Sequence, residues 1–211
     1  MIILSGEKPS GIILHGWAKE FFQAHIPDKD ANILDVGAGQ GEFLRQLKSA
    51  GYTQLAGVDA NAYQGAEGFL ITYKDISHEK LEWEEGVFDA ITAWEVFEHL
   101  ENPRFALREL HRVLKPGGIL FISVPNIFSI EERLHFLRRG NFWRWSKKND
   151  HYNIFTRNVF KKIFLKDFLL VEKRYPLPKL GKHGKLGKIP FPVPEHELFG
   201  GFIVYVLKKK R

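Results

Sequence analysis

Between Asn32 and Asn126 the chain lays out five short apolar runs in order, separated by turn signals and helix-patterned stretches. They are "NILDVG" (32–37), "QLAGVDA" (54–60), "GFLITYKDIS" (68–77), "VFDAITAW" (87–94) and "ILFISVPN" (119–126). Each is short, apolar and punctuated, as a buried strand is. "GEFLRQLKSAG" (41–51) carries Phe43, Leu44 and Leu47 on one helical stripe and stops at Gly51. "NPRFALRELHRVLKPGG" (102–118) reads as a helix with Pro103 in its first turn and Pro116-Gly117-Gly118 as its end. Strands that alternate with helices need a largely parallel sheet covered on both faces. Further along, "TRNVFKKIFLKD" (156–167) predicts a helix capped by Thr156, and residues 168–176 and 201–210 add two strands.

Ligands of such sheets sit outside the carboxyl ends of the strands, so the residues that follow each strand carry the chemistry. After the first comes "DVGAGQGEF", with glycines at 37, 39 and 41 where a backbone must turn tightly and approach a ligand. A dinucleotide fingerprint places its third glycine at position 42, and Glu42 stands there instead. A carboxylate is poor company for a pyrophosphate, so a nucleoside without phosphates fits better. Asp59 follows the second strand, where a carboxylate can take both ribose hydroxyls. Asp75 and Ile76 follow the third, placed to accept from an adenine amino group and to flank its ring. Singly, each of these aspartates is as well explained by a turn or a cap.

Taken together, "ILDVGAGQGEF", "GVDA", "YKDIS", "FDAITAWEVFEHLENP" and "LRELHRVLKPGGILFISVPN" resemble the class I S-adenosylmethionine-dependent methyltransferases over residues 32–126. The resemblance implies a Rossmann-like, doubly wound, seven-stranded sheet whose last strand is antiparallel, which suits the terminal "FIVYVL". It implies that Asp35, Gly37, Ala38 and Gly39 cradle the amino-acid end of S-adenosylmethionine. Asp59 with Ala60 would hold the ribose, Asp75 with Ile76 the adenine, and the backbone near Ala93 and Trp94 the methionine moiety. The second helix of the family must be short or absent here, given the few residues between Asp59 and the third strand.

"WEVFEHL" (94–100) follows the fourth strand, and Glu95, Glu98 and His99 share one face if it is helical. In-line methyl transfer needs chiefly alignment, but an alcohol or phenol acceptor must also lose a proton. His99 is then a candidate general base, with Glu98 and His151 as further catalytic groups. Alternatively Glu95, Glu98, His99 and His151 ligate a divalent ion, Mg²⁺ or Mn²⁺. The "ExxEH" spacing is similar to ubiquinone-biosynthesis O-methyltransferases. With the later "DH…TR" it is similar to small-RNA 3′-end 2′-O-methyltransferases, and in both the matching residues are implicated in metal binding. A helix-bracing role for Glu98 or His99 stays open beside these.

Residues 127–153 interrupt the alternation and suggest a cap over the acceptor site of a single domain spanning 1–211. Ile130, Leu134 and Leu137 lie at helical spacing among Arg133, Arg138 and Arg139, and Phe142, Trp143 and Trp145 alternate with Arg144, Lys147 and Lys148. Charge is lopsided: residues 1–132 carry a net −9 and residues 133–211 a net +15, which invites an anionic partner. Several partners fit. One is a small or lipid-like anionic acceptor, another single-stranded nucleic acid held by stacking and cations, and a third an anionic membrane touched peripherally through 128–152. A lid packed by its aromatic side, with solvated cations, is the plain alternative. "VPN…RL.FLRRG" also resembles the methyltransferase-like proteins associated with methionine biosynthesis, which implies a cofactor-binding partner of another enzyme. "PKLGKHGKLGKIPFPVP" (178–194) reads as a basic loop joining the last two strands. With no cysteine, disulfides and thiolate chemistry drop out. Lacking a signal-peptide pattern or an apolar run long enough to span a bilayer, the chain is expected in the cytoplasm.

Overall fold

A computed structural model of the chain describes residues 17–63, 66, 68–147, 149–177 and 194–210. The expected basic loop at 178–194 lies, but for its last residue, outside the described residues. Seven strands form one sheet: β1 (Ile33–Val36), β2 (Leu55–Asp59), β3 (Leu70–Tyr73), β4 (Phe88–Trp94), β5 (Leu114–Pro125), β6 (Phe168–Arg174) and β7 (Phe202–Lys209). Their order is β3-β2-β1-β4-β5-β7-β6. The first five run parallel, and β7 is antiparallel to both β5 and β6. This is the doubly wound sheet with a reversed last strand that the sequence suggests. The strand order reverses at β1/β4, so both strands release their carboxyl ends into the same crevice.

Among the described residues there are five helices, α1 (Trp17–His25), α2 (Glu42–Ser49), α3 (Pro103–Val113), α4 (Ile130–Arg139) and α5 (Arg157–Phe164), and all but α4 pack on the sheet. Strand alternation sends side chains to two separate cores. On one face Ile33, Ala90, Phe121 and Val206 pack under Ala18 and Phe22 of α1 and Phe43 and Leu47 of α2. On the other, Leu34, Val36, Ile91, Leu120 and Ile122 pack under α3 and under Phe160 and Phe164 of α5. Among the described residues between β2 and β3 there is no helix, as the short spacing implies.

Two elements differ from the sequence expectation. Helix α1 was not anticipated. Helix α3, expected to run to Gly118, ends at Val113, and Leu114 already pairs with Phe88 in the sheet. Pro116 disfavours helical backbone at Lys115 before it. The register then jumps to Ala90↔Ile119, and Gly117 turns with φ 77° inside the irregular start of β5. The caps behave as read: Asn102 accepts from the Phe105 N–H and Thr156 from the Val159 N–H.

Candidate functional site

The glycine loop after β1 is built for close approach. Gly37, Gly39 and Gly41 all have positive φ, at 71°, 52° and 76°, which favours glycine. At Gly37 a Cβ would fall 2.6 Å from Val96 Cγ2, so a side chain there would collide with the turn after β4. The Gly37 N–H donates to the Val58 carbonyl at 2.8 Å, tying the loop to the end of β2. Asp59, the last residue of β2, accepts from the Gly39 N–H at 2.8 Å and the Asn61 N–H at 2.9 Å. The acid and the loop are therefore in direct contact at one edge of the crevice, with Ala38 buried in the loop and Ala60 exposed beyond Asp59. Helix α2 opens on Glu42, which pairs with Arg45 at 3.0 Å, so the carboxylate that argues against a pyrophosphate does stand at the start of the helix.

Asp35 lies within β1, 3% exposed, and accepts the Thr92 hydroxyl at 2.6 Å. Burial raises its pKa from 3.8 to about 7, against the Thr92 bond and with some help from Asp59. The folded state therefore holds a proton on Asp35 that the unfolded chain has lost between pH ~4 and ~7. Stability from this group is complete at acid pH and is lost as pH rises through that window. Asp35→Asn is expected to raise the melting temperature of the ligand-free protein by ~5 °C at pH 8 and hardly at all near pH 4. Thermal melts at the two pH values check this, and equal shifts at both would contradict it. A stability cost maintained at the head of the crevice points to ligand binding.

Asp75 sits after β3, and its Oδ1 accepts from the Ser77 N–H at 2.8 Å. Ile76 is buried in the core beside Leu81. Ala93 is fully buried at the end of β4. Trp94 packs edge-on to Phe43 and near Phe121, and its buried indole N–H has no hydrogen-bond partner among the described residues.

The "EVFEH" turn forms the opposite wall. Glu95 has φ 53°, a left-handed conformation that costs a non-glycine residue energy and concentrates at functional sites. Its N–H donates to Ser123 Oγ at 2.9 Å, and that hydroxyl donates back to Glu95 Oε1 at 3.0 Å. From the 127–153 segment, Arg144 brings Nη1 to 3.9 Å from Glu95 Oε2 and Nε to 3.8 Å from Glu132 Oε1, lying over the Phe202 ring. Glu98 is fully buried. Burial raises both carboxyls, Glu95 to about 7 despite Arg144, and Glu98 well above its usual range because Glu95 adds a like charge. A proton held between them is the hydrogen bond open to this pair. Without it both Glu98 oxygens lack a partner among the described residues.

Residues 150–153 dock onto this turn. The Tyr152 and Asn153 N–H groups both donate to the Glu98 carbonyl, at 2.8 and 3.0 Å, and the Asn153 side-chain amide donates to the carbonyls of Phe97 and Leu100. His99 Nδ1 donates to the Asp150 carbonyl at 3.0 Å, which leaves Nε2 as an acceptor. The His99 and His151 rings meet edge to face at 4.6 Å, and Trp145 backs His151 at 5.5 Å. Burial lowers the His99 pKa and takes His151 to about 4, where the neighbouring His99 and the Arg144 cation also disfavour its protonated form. One ligand atom each from Glu98, His99 and His151 lies within 4.8 Å of the others, and His151 Nδ1 is buried without a partner among the described residues. Glu95, expected in the same ligand set, stands outside this group and faces Ser123 and Arg144.

A sheet of this order, with a glycine loop after β1 bonded to the acid that ends β2, defines a doubly wound α/β protein. The methyltransferase-domain family matches residues 15–168. The chain belongs to this family, the class I S-adenosylmethionine-dependent methyltransferases. A ubiquinone biosynthesis O-methyltransferase of Pseudomonas paraeruginosa is 33% identical over 103 residues, 44% of each chain. The chain thus spans less than half the length of that curated relative. Among solved structures, a SAM-dependent methyltransferase from Archaeoglobus fulgidus shares the fold with TM-score 0.64 and 22% identity, over 92% of this chain and 93% of that one. So does a didemethyltoxoflavin N1-methyltransferase from Burkholderia thailandensis, solved with its substrate and S-adenosylhomocysteine. Its TM-score is 0.61 and its identity 18%, over 93% of this chain and 78% of that one.

Sequence reasoning missed Thr92, Ser123, Asp150 and Asn153. Of these Asp150 and Asn153 had a local signal, as polar residues flanking His151 in "NDHYN", Asp150 within the "DH" pair itself.

Proposed function

We propose that the protein transfers the methyl group of S-adenosylmethionine to a hydroxyl of a small or lipid-like anionic acceptor, with His99 removing the hydroxyl proton. The observation that carries this reading is His99 itself. It ends the β4 turn as an exposed side chain held by the Asp150 carbonyl through Nδ1, which leaves Nε2 as an acceptor beside Glu98 and His151, with its pKa lowered by partial burial. The residues suit the cofactor. The glycine loop has no room for side chains at Gly37, Asp59 is bonded to that loop, and Glu42 disfavours phosphates. S-adenosylmethionine held there by the glycine loop and Asp59 would supply a methyl group on a positive sulfur, and His99 Nε2 would take the proton that the acceptor hydroxyl gives up. The Asp150 carbonyl and the His151 ring fix the imidazole during this exchange, and residues 127–153, serving as the cap, shape the acceptor pocket. A methyl-transfer assay against phenolic and lipid-borne hydroxyl acceptors tests this. Tight cofactor binding without turnover on any acceptor, together with a co-purifying second chain, would replace it with the role of a partner of another enzyme.

A second reading is favoured by one specific observation. Both Glu98 oxygens and His151 Nδ1 are buried without partners among the described residues, next to the acceptor nitrogen of His99. That donor set, one carboxylate and two imidazoles, suits Mn²⁺ better than Mg²⁺ alone. The Asp150 carbonyl on His99 Nδ1 is the outer partner a ligating histidine ordinarily has. Such an ion would act as a Lewis acid on the acceptor hydroxyl. Under this reading, titration calorimetry with Mn²⁺ shows binding that His151→Ala lowers by at least ~tenfold. Activity unchanged by both chelation and His151→Ala would eliminate the ion.

A further inference from the structure

Helix α4 is inside out. At ~100° per residue, Ile130, Leu134 and Leu137 share one stripe, with Arg133 on one flank and Arg138 on the other. In an ordinary surface helix such a stripe faces the core. Here the three residues are 45%, 45% and 79% exposed, and the only residue of the helix that is buried is Glu132. Glu132 lies on the opposite side, where its Oε2 accepts the Trp143 N–H at 2.8 Å and its Oε1 lies 3.8 Å from Arg144 Nε. The helix is thus anchored through its acid, and its leucines point to solvent. The orientation is specified at both ends: Ser129 accepts from the Glu132 N–H, and Gly140 closes the last turn at φ 72°. On the rest of the helix and the turn after it, Phe136 and Trp143 are 45% and 63% exposed, and Arg139 and Lys147 are exposed as well.

We propose that this face docks on an anionic lipid surface, with α4 lying in the plane of the headgroups. Two features together select this occupant. The apolar stripe is the width of one helix face, too narrow for a core-like protein interface. Arg133 and Arg138 flank it on its two sides, with Arg133 half-exposed and 3.8 Å from Glu197, at the level where lipid phosphates lie. The composition agrees, since residues 133–211 carry a net +15, and basic residues near an anionic leaflet each add to attraction. The helix has 10 residues, and among the described residues no helix is long and apolar enough to cross a membrane, so the contact is peripheral. Single-stranded RNA would use the cations but leave Leu134 and Leu137 idle, which makes it the weaker occupant.

Sedimentation with large unilamellar vesicles tests the docking. The full chain is expected to partition onto vesicles of mixed phosphatidylglycerol and phosphatidylcholine, and at least ~a hundredfold more weakly onto phosphatidylcholine alone. Leu137→Glu and Leu134→Glu should each lower partition by ~tenfold or more, and Arg133→Glu with Arg138→Glu by a similar factor. Affinity for S-adenosylmethionine, read by calorimetry on the same variants, should not change. That readout shows the variants folded and keeps the docking separate from the methyl-transfer reading. Vesicle binding indifferent to the leucine variants, or equal on neutral and anionic lipid, would overturn the docking. So would a dimer in solution that Leu137→Glu dissociates, or RNA binding that protects α4 while vesicles leave it unprotected.

Discussion

Replacing His99 with glutamine is expected to lower kcat by about a hundredfold to ten-thousandfold while leaving the affinity for S-adenosylmethionine unchanged. The asymmetry follows from position. The glycine loop and Asp59 lie on one side of the crevice, and His99 lies on the turn after β4, bonded to Asp150 rather than to any cofactor-side residue. Glutamine can keep a donor to the Asp150 carbonyl but cannot accept the hydroxyl proton. The same variant separates the two readings of the wall. If His99 is the base, excess Mn²⁺ leaves the variant inactive. If it is a ligand, the ion restores part of the rate. Loss of cofactor affinity in step with kcat would instead mean that the turn supports the cofactor, and the acceptor side would have to be sought elsewhere.

Asp59→Ala should act on the other half of the site and weaken S-adenosylmethionine binding by about a hundredfold. Two charge-assisted hydrogen bonds to ribose hydroxyls at ~1.5 kcal/mol or more apiece account for that factor. The fold should survive. Burial raises the Asp59 carboxyl above its usual range, against its backbone bonds, so the residue is poorly solvated where it stands and its removal relieves that cost. The Gly39 and Asn61 N–H groups lose their acceptor, however. Asp59→Asn therefore serves as the control, because it keeps an oxygen for Gly39 while giving up the charge and the oxygen that accepts from Asn61. Its expected loss is about tenfold. Calorimetry on all three proteins, with melting curves beside it, checks the order. Unchanged affinity in a folded Asp59→Ala would show that the ribose lies elsewhere.

The placement of the glycine loop beside Asp59 was legible from residues because its signals are local. Glycines at 37, 39 and 41 follow a strand directly, and Asp59 ends the next one, so strand order alone brings them together. The sheet was legible for the same reason, down to the reversed β7. The arrangement of the turn after β4 was not. The orientation of His99 depends on the Asp150 carbonyl, 51 residues away, and no side-chain pattern encodes a backbone carbonyl. Glu95 shares the "ExxEH" spacing with its neighbours, yet its left-handed backbone turns it to Ser123 and Arg144. Helical spacing in 130–139 was plain, while the facing of that helix was set by Glu132 and Trp143, a tertiary contact. Helix α3 stopped early because Pro116 acts on the residue before it as well as on its own position.

The central claim is that the loops at 37–41, 59–60 and 75–76 surround one nucleoside cofactor at the β1/β4 switch point. Titration calorimetry of the purified full chain with S-adenosylmethionine, and then with S-adenosylhomocysteine, addresses it most directly. The account predicts saturable binding of both compounds at a single shared site, each displacing the other, with neither binding measurably weakened by His99→Gln. Absence of binding by both compounds to a folded protein would contradict it.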